Sequence, residues 1–228
     1  MNEHRGTELA GQGLVSRAFY QFARAIVVGF AYTWNRARVE GRERVPAHGP
    51  FVLAPVHRSN MDTIYAATVT RRRLRYMGKH TLWKGPFFSW LLSALGGFPV
   101  VRGTADREAL NRCVEVLEAG EPLVLFPEGE RKSGPTVQPL FDGAVYIAAR
   151  AGVPIVPVGI GGSEAAMPKG KKLIRPSRVH VIVGQPIDLR GREGGRVPRS
   201  AVREASEQLH SRLQQLYDEA QAKSGQLE

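Results

Sequence analysis

From residue 38 onward, short strand-like runs, most of them apolar, alternate with longer stretches whose apolar positions recur at helical spacing. The short runs predict strands over 38–41, 51–56, 74–78, 98–101, 122–126, 155–160 and 178–183. The longer stretches predict helices over 60–70, 86–95, 105–119, 142–151 and 199–222, with Gly120 and Gly152 where helix C-caps belong. Apolar runs separated by helices predict an α/β fold. Its mainly parallel central sheet of about seven strands is flanked by helices on both faces. No internal repeat interrupts this order, and KGKKLIRPSR and RGREGGRVPRS read as basic loops marked by Gly and Pro.

Two apolar stretches stand apart. Residues 14–36, LVSRAFYQFARAIVVGFAYTWNR, are interrupted by Arg17, Gln21 and Arg24, and the uncharged run from Ala25 to Asn35 is 11 residues long. A spanning helix needs about 20 residues, and an arginine at mid-membrane costs about 2.5–3.5 kcal/mol on insertion scales. Leu14, Ala18, Phe19, Phe22, Ile26 and Phe30 fall near one helical face, with Tyr32 and Trp34 at its end. Apolar residues wrap more of this helix than a single core stripe requires. It reads as an amphipathic helix lying in a membrane surface; a core-facing helix is the alternative. The chain thus divides into a helical, membrane-associating segment, 1–37, and a main domain, 38–228, that ends in a C-terminal helix. The second stretch, GPFFSWLLSALGGFPVV at 85–101, holds 17 uncharged residues broken by Pro86, Gly96–Gly97 and Pro99, so it does not read as a span. Phe87, Phe88, Trp90, Leu91 and Leu92 either line a groove for a fatty chain or pack in the core. The polar start of the chain, MNEHRGTELAGQG, lacks the short apolar core of a secretory signal.

Composition sharpens this picture in three ways. A length of 228 residues suits one domain, and 43% hydrophobic residues is too many for a disordered chain. The lone Cys113 excludes an intramolecular disulfide and falls at core spacing within REALNRCVEVLEAG, which argues against a nucleophile. The 32 Lys+Arg against 21 Asp+Glu give a net charge of +11, a surface that attracts nucleic acid, anionic headgroups or acidic protein. No zinc-finger spacing, basic-zipper pattern or aromatic RNA-binding motif accompanies the charge, so no nucleic-acid partner is expected. RRRLR at 71–75 and KGKK at 169–172 are candidate contacts for phosphates, headgroups or an acidic protein.

The chemistry concentrates at strand exits. FVLAPVHRSNMD places His57 at the carboxyl end of the strand 51–56, the edge of an open α/β sheet where ligands bind, and Asp62 follows five residues later. Asp62 falls in the first turn of the next helix and can fold back on one imidazole nitrogen, leaving the other as a base. The same residues fit a capping box between Ser59 and Asp62, and this stretch alone does not separate the two readings. Two further exits converge on the same rim: 98–101 ends in Arg102, and 122–126 leads into PEGERKSG with Glu128, Gly129 and Arg131. Arg102 and Arg131 suit a phosphate, as charge-assisted forks, or surface ion pairs. Glu128, beside a tight glycine turn, suits a substrate hydroxyl. Ser59 lies close to His57, but no G-x-S-x-G elbow surrounds it.

These motifs resemble those of the glycerolipid acyltransferases, in particular the 1-acylglycerol-3-phosphate (lysophosphatidic acid) acyltransferase type. HRSNMD matches the family's H-x-x-x-x-D motif. GGFPVVR, FPEGER and VPIVPVGI resemble its second, third and fourth motifs in order, across roughly residues 38–187. The chain departs from the pattern at Val56, Glu130 and Asp142, where the family commonly has Asn, Thr and Lys. The resemblance implies catalysis by His57 and Asp62, with Arg102, Glu128, Gly129 and Arg131 binding substrate. It implies transfer of a fatty acyl group from acyl-CoA or acyl carrier protein to lysophosphatidic acid, directly and without a covalent intermediate, with neither cofactor nor metal. The tetrahedral oxyanion of that reaction would take its donors from backbone N–H groups near Ser59–Met61. The basic surface and apolar N-terminal helix then suggest peripheral or monotopic attachment to an anionic membrane surface, on its cytoplasmic face. Another lysolipid or glycolipid acceptor, or a non-catalytic anionic-lipid-binding module, are the alternatives.

Overall fold

A computed structural model of the protein describes residues 13–100, 107–189 and 197–225. Arg102 and the predicted element ends at 101 and 105–106 lie outside the described residues.

The elements follow in the order α1 (Leu14–Thr33), β1 (Arg38–Glu40), β2 (Val52–Pro55), α2 (Asp62–Ala66), β3 (Arg75–Lys79), α3 (Gly85–Ala94), β4 (Gly97–Val100), α4 (Arg107–Glu118), β5 (Leu123–Val124), α5 (Gly143–Arg150), β6 (Ile155–Gly161), α6 (Ser163–Ala166), β7 (His180–Val183) and α7 (Arg199–Ser224). All seven expected strands form one sheet in the order β1-β7-β6-β2-β5-β3-β4. From β6 to β4 the neighbours are parallel. β7 reverses against β6, and β1 runs parallel to β7.

β2 is buried along its whole length between β6 and β5, which is why its sequence is an unbroken apolar run. Each Val or Leu so buried contributes about 1.5–3 kcal/mol relative to exposure. The chain leaves β2 toward β3 on one side and leaves β5 toward β6 on the other, so β2 and β5 flank a topological switch point.

Helices cover the sheet in two groups: α4, α5 and α7 pack on one another, as α1 does on α2 and α3. α7 buries a stripe of Val202, Ala205, Leu209, Leu213, Leu216, Tyr217 and Ala220 at helical spacing. It lies so close to β6 that a Cβ at Gly159 would come within 2.3 Å of the Leu216 carbonyl oxygen. α2 spans only five residues, against the expected 60–70: Asp62 bonds to the Arg58 and Ser59 N–H groups of the turn before it, and past Ala66 the chain tightens into i→i−3 bonds from Ala67, Thr68 and Val69. The short α6 and the reversal of β7 went unseen in the sequence.

α1 inserts Ala31 into the core and buries Tyr20, while Leu14, Val15, Phe22 and Ile26 remain exposed. Among the described residues, no helix is long and apolar enough to cross a membrane.

Candidate active site

β2 continues its ladder as far as Val56, whose N–H donates to the Val158 carbonyl, and His57 is the first residue past the sheet. The chain then turns through Arg58–Met61 into α2. One oxygen of Asp62 closes that turn: Oδ2 accepts from the Arg58 N–H and the Ser59 N–H, each at 2.6 Å, and meets His57 Nδ1 at 3.1 Å. The capping contact and the histidine contact therefore coexist on a single oxygen. Asp62 is fully buried. Because Oδ2 is an acceptor surrounded by donors, neutral His57 carries its proton on Nδ1, and the Nε2 lone pair is free to act as a base. Among the described residues Nε2 has no hydrogen-bond partner, and the side chain keeps 16% of its surface exposed. Phe126 stacks on the imidazole with ring centroids 3.9 Å apart, fixing the ring plane from the β5 side.

The loop after β5 is sewn to this turn. The His57 N–H donates to Glu128 Oε1 at 3.1 Å, and the Lys132 N–H donates to the His57 carbonyl at 2.9 Å. Arg58, directly after the histidine, is the polar residue that the sequence reading missed. Its side chain is wholly buried, with Nη1 at 2.7 and 2.8 Å from the two Glu128 oxygens. It also donates to the carbonyls of Gly134 and Thr136, and it lies 4.8 Å over the Tyr217 ring of α7. Burial pulls the guanidinium pKa down, but the hydrogen bonds and charge of Glu128 outweigh it and raise the group above its ordinary value. Removing one partner of such a pair strands a buried charge, at a cost of about 3–5 kcal/mol.

This geometry corrects two expectations. Glu128 is not positioned to receive a substrate hydroxyl: it is fully buried, and its oxygens already accept from Arg58, the His57 N–H and the Gln138 N–H. It orients the histidine loop instead. The N–H groups of Ser59 and Met61 are likewise committed, to Asp62 and to Ser59 Oγ, which leaves Asn60 as the uncommitted donor of that stretch among the described residues.

The remaining candidates fall as follows. Gly129 turns the loop at a φ of 71°, where a Cβ would also meet the Phe141 ring at 2.7 Å. Arg131 is half-buried and makes no hydrogen bond or ion pair among the described residues. Glu130 is exposed and bonded to Lys132 at 2.8 Å; Lys132, with Lys169 behind it, holds its carboxyl below the usual range. Ser59 is buried and donates to the Met167 carbonyl, so it is not a free nucleophile. Cys113 is buried in the core, which pushes its thiol up to about 12. In RRRLR, Arg72 and Arg73 are spent on backbone carbonyls and Arg75 is buried beside Glu121, whereas Lys169, Lys171 and Lys172 stay exposed.

In sequence and fold the chain is similar to known proteins. The chain is 29% identical over 176 residues to the chloroplastic 1-acyl-sn-glycerol-3-phosphate acyltransferase BAT2 of Brassica napus, covering 75% of this chain and 51% of that protein. It is 29% identical over 151 residues to the Bacillus subtilis 1-acyl-sn-glycerol-3-phosphate acyltransferase, covering 66% of this chain and 73% of that one. The crystal structure of the 1-acyl-sn-glycerophosphate acyltransferase from Thermotoga maritima superposes with a TM-score of 0.71 at 26% identity, over 87% of this chain and 80% of the other. The chain spans about half the length of its plant relatives. The acyltransferase family model matches residues 36–161, a stretch that contains His57, Arg58, Asp62 and Glu128. On that match, over more than half its length, the chain belongs to the acyltransferase family.

Proposed function

We propose that the protein transfers a fatty acyl group from a thioester donor, acyl-CoA or acyl carrier protein, to the free hydroxyl of 1-acylglycerol-3-phosphate, forming phosphatidic acid. The observation that carries this reading is His57, held through Nδ1 by Oδ2 of the buried Asp62, with Nε2 open. Nε2 takes the hydroxyl proton as the acceptor oxygen attacks the thioester carbonyl. The C–S bond then breaks, and the departing thiolate recovers that proton from the imidazolium. General-base help of this kind contributes about 10²–10⁴-fold. Arg131, with Lys169 nearby and Arg102 from the β4 exit, holds the acceptor phosphate. The pairing of Glu130 with Lys132 removes the objection that a bare carboxylate would repel a phosphate there. The reaction needs no cofactor beyond its acyl donor.

The same reading places the protein peripherally on the cytoplasmic face of a membrane. Residues 1–37 act as the attaching segment and 38–228 as the catalytic domain. Support comes from α1 and α3, which pack together through Phe19 and Trp90 at 5.2 Å yet leave Phe22, Ile26, Phe87 and Phe88 exposed. The test is a mass-resolved assay with lysophosphatidic acid, lyso-ornithine lipid and a neutral lysolipid, each with both donors. Phosphatidic acid as the main product is the expected result. Preference for another acceptor would move the substrate but keep the chemistry, and vesicle binding without any transfer would reduce the protein to a lipid-binding module.

A further inference from the structure

A second built feature lies away from His57. The helices α4 and α5 and the start of α7 bound a cleft of about 820 Å³, within the range of about 300–1,000 Å³ typical of small-molecule sites. Its rim carries Arg107, Arg150, Arg199 and Arg203 against the single carboxylate of Asp142. That carboxylate is engaged by the Ser206 hydroxyl at 2.8 Å, Arg150 by Asn111 and Arg203 by Glu207. Arg107 and Arg199 are exposed and bonded to nothing among the described residues. Arg199 also opens α7, whose first turn holds no acid. A cation there opposes the helix dipole, which an anion would relieve. Below the arginines the floor is apolar, made by Leu110, Tyr146 and Val202. Cationic rim and apolar, partly aromatic floor together suit a ligand with phosphates at one end and a flat base at the other.

Two placements narrow the ligand. The cleft belongs to the α4–α5–α7 group, apart from the exposed aromatics of α1 and α3, and among the described residues one further exposed aromatic, Phe141, stands at its Asp142 end. Its Asp142 end adjoins the active-site loop: Phe141 donates its N–H to the Pro127 carbonyl and packs its ring on Gly129. A ligand anchored in the cleft can therefore extend toward His57.

We propose that this cleft binds the phosphorylated nucleotide end of a coenzyme A thioester, an assignment that rests on the transferase reading above. Calorimetric titration with adenosine 3′,5′-bisphosphate, done without turnover, separates the two. Wild type binds one equivalent. Arg107→Gln/Arg199→Gln weakens that binding, and raises KM for acyl-CoA, by about tenfold or more, the loss expected for charge-assisted hydrogen bonds. Arg107→Lys/Arg199→Lys recovers part of both, and the melting temperatures of all three proteins agree. The site is refuted by absence of bisphosphate binding to wild type, by equal displacement with inorganic phosphate or anionic vesicles, by an unmoved KM for acyl-CoA, or by a loss confined to the carrier-protein donor. Arginine-dependent bisphosphate binding in a protein that transfers nothing would uphold the cleft and sink the transferase reading. Normal transfer with unaltered KM in the double variant would do the reverse.

Discussion

The exits of β2 and β5 and the outer faces of α1 and α3 depart from the usual division of inside and outside in opposite directions. At the exits, Arg58, Asp62 and Glu128 lie wholly inside, and each bonds to its neighbours in the cluster. On the helices, Phe22 and Phe87 keep 65% and 63% of their surface in solvent. Buried charge is tolerable only when matched group by group, so the first region is rigid and sensitive to single deletions. Exposed apolar side chains act through summed area, so the second is tolerant and graded. Rigidity suits a base that must hold one tautomer, and additive apolar area suits reversible attachment to lipid.

Substitutions that sharpen the contrast rank by expected effect. Asp62→Asn is the most severe for activity. Asparagine can keep its carbonyl oxygen at the Oδ2 position and accept there from Arg58, Ser59 and His57 Nδ1, but a neutral amide no longer stabilises the imidazolium that forms when Nε2 takes a proton. kcat falls by about 10²–10⁴-fold, read in a product assay. Glu128→Ala strands Arg58 and costs about 3–5 kcal/mol of stability, measured by denaturant unfolding. Arg58→Met with Glu128→Leu loses far less than the two single changes added together. Phe87→Ala/Phe88→Ala leaves the melting temperature unchanged and weakens binding to anionic vesicles by about tenfold, from the apolar area lost. Lys132→Ala removes an exposed ion pair and leaves stability unchanged within error. Equal sensitivity of the two regions to single changes would erase the distinction.

Most of the strands were legible because they are apolar runs closed by Gly, Pro or charge, with β1 (RVE) and β3 (RYMGK) the more polar exceptions, and His57 with Asp62 was legible because five residues fix their separation locally. The Arg58–Glu128 pair was not. Its members lie 70 residues apart in the chain, and they meet only because β5 is inserted beside β2. Opposite charges at two strand exits were the available clue, but strand order was needed to use it. For the same reason Glu128 was first assigned to substrate: a carboxylate at a rim looks free until its partner is placed. Ladder lengths also misled. β5 pairs over Leu123–Val124, and the Leu125 N–H still donates to the Leu53 carbonyl before the turn closed by the Gly129 N–H on the Phe126 carbonyl leads into the loop that carries Glu128.

The central claim is that His57 Nε2 is the base. The decisive measurement compares phosphatidic acid formation by wild type and His57→Ala, each with its melting temperature and vesicle affinity recorded. The expected result is a loss of at least about a hundredfold in turnover, with folding and lipid binding intact. Wild-type turnover in the variant would contradict it.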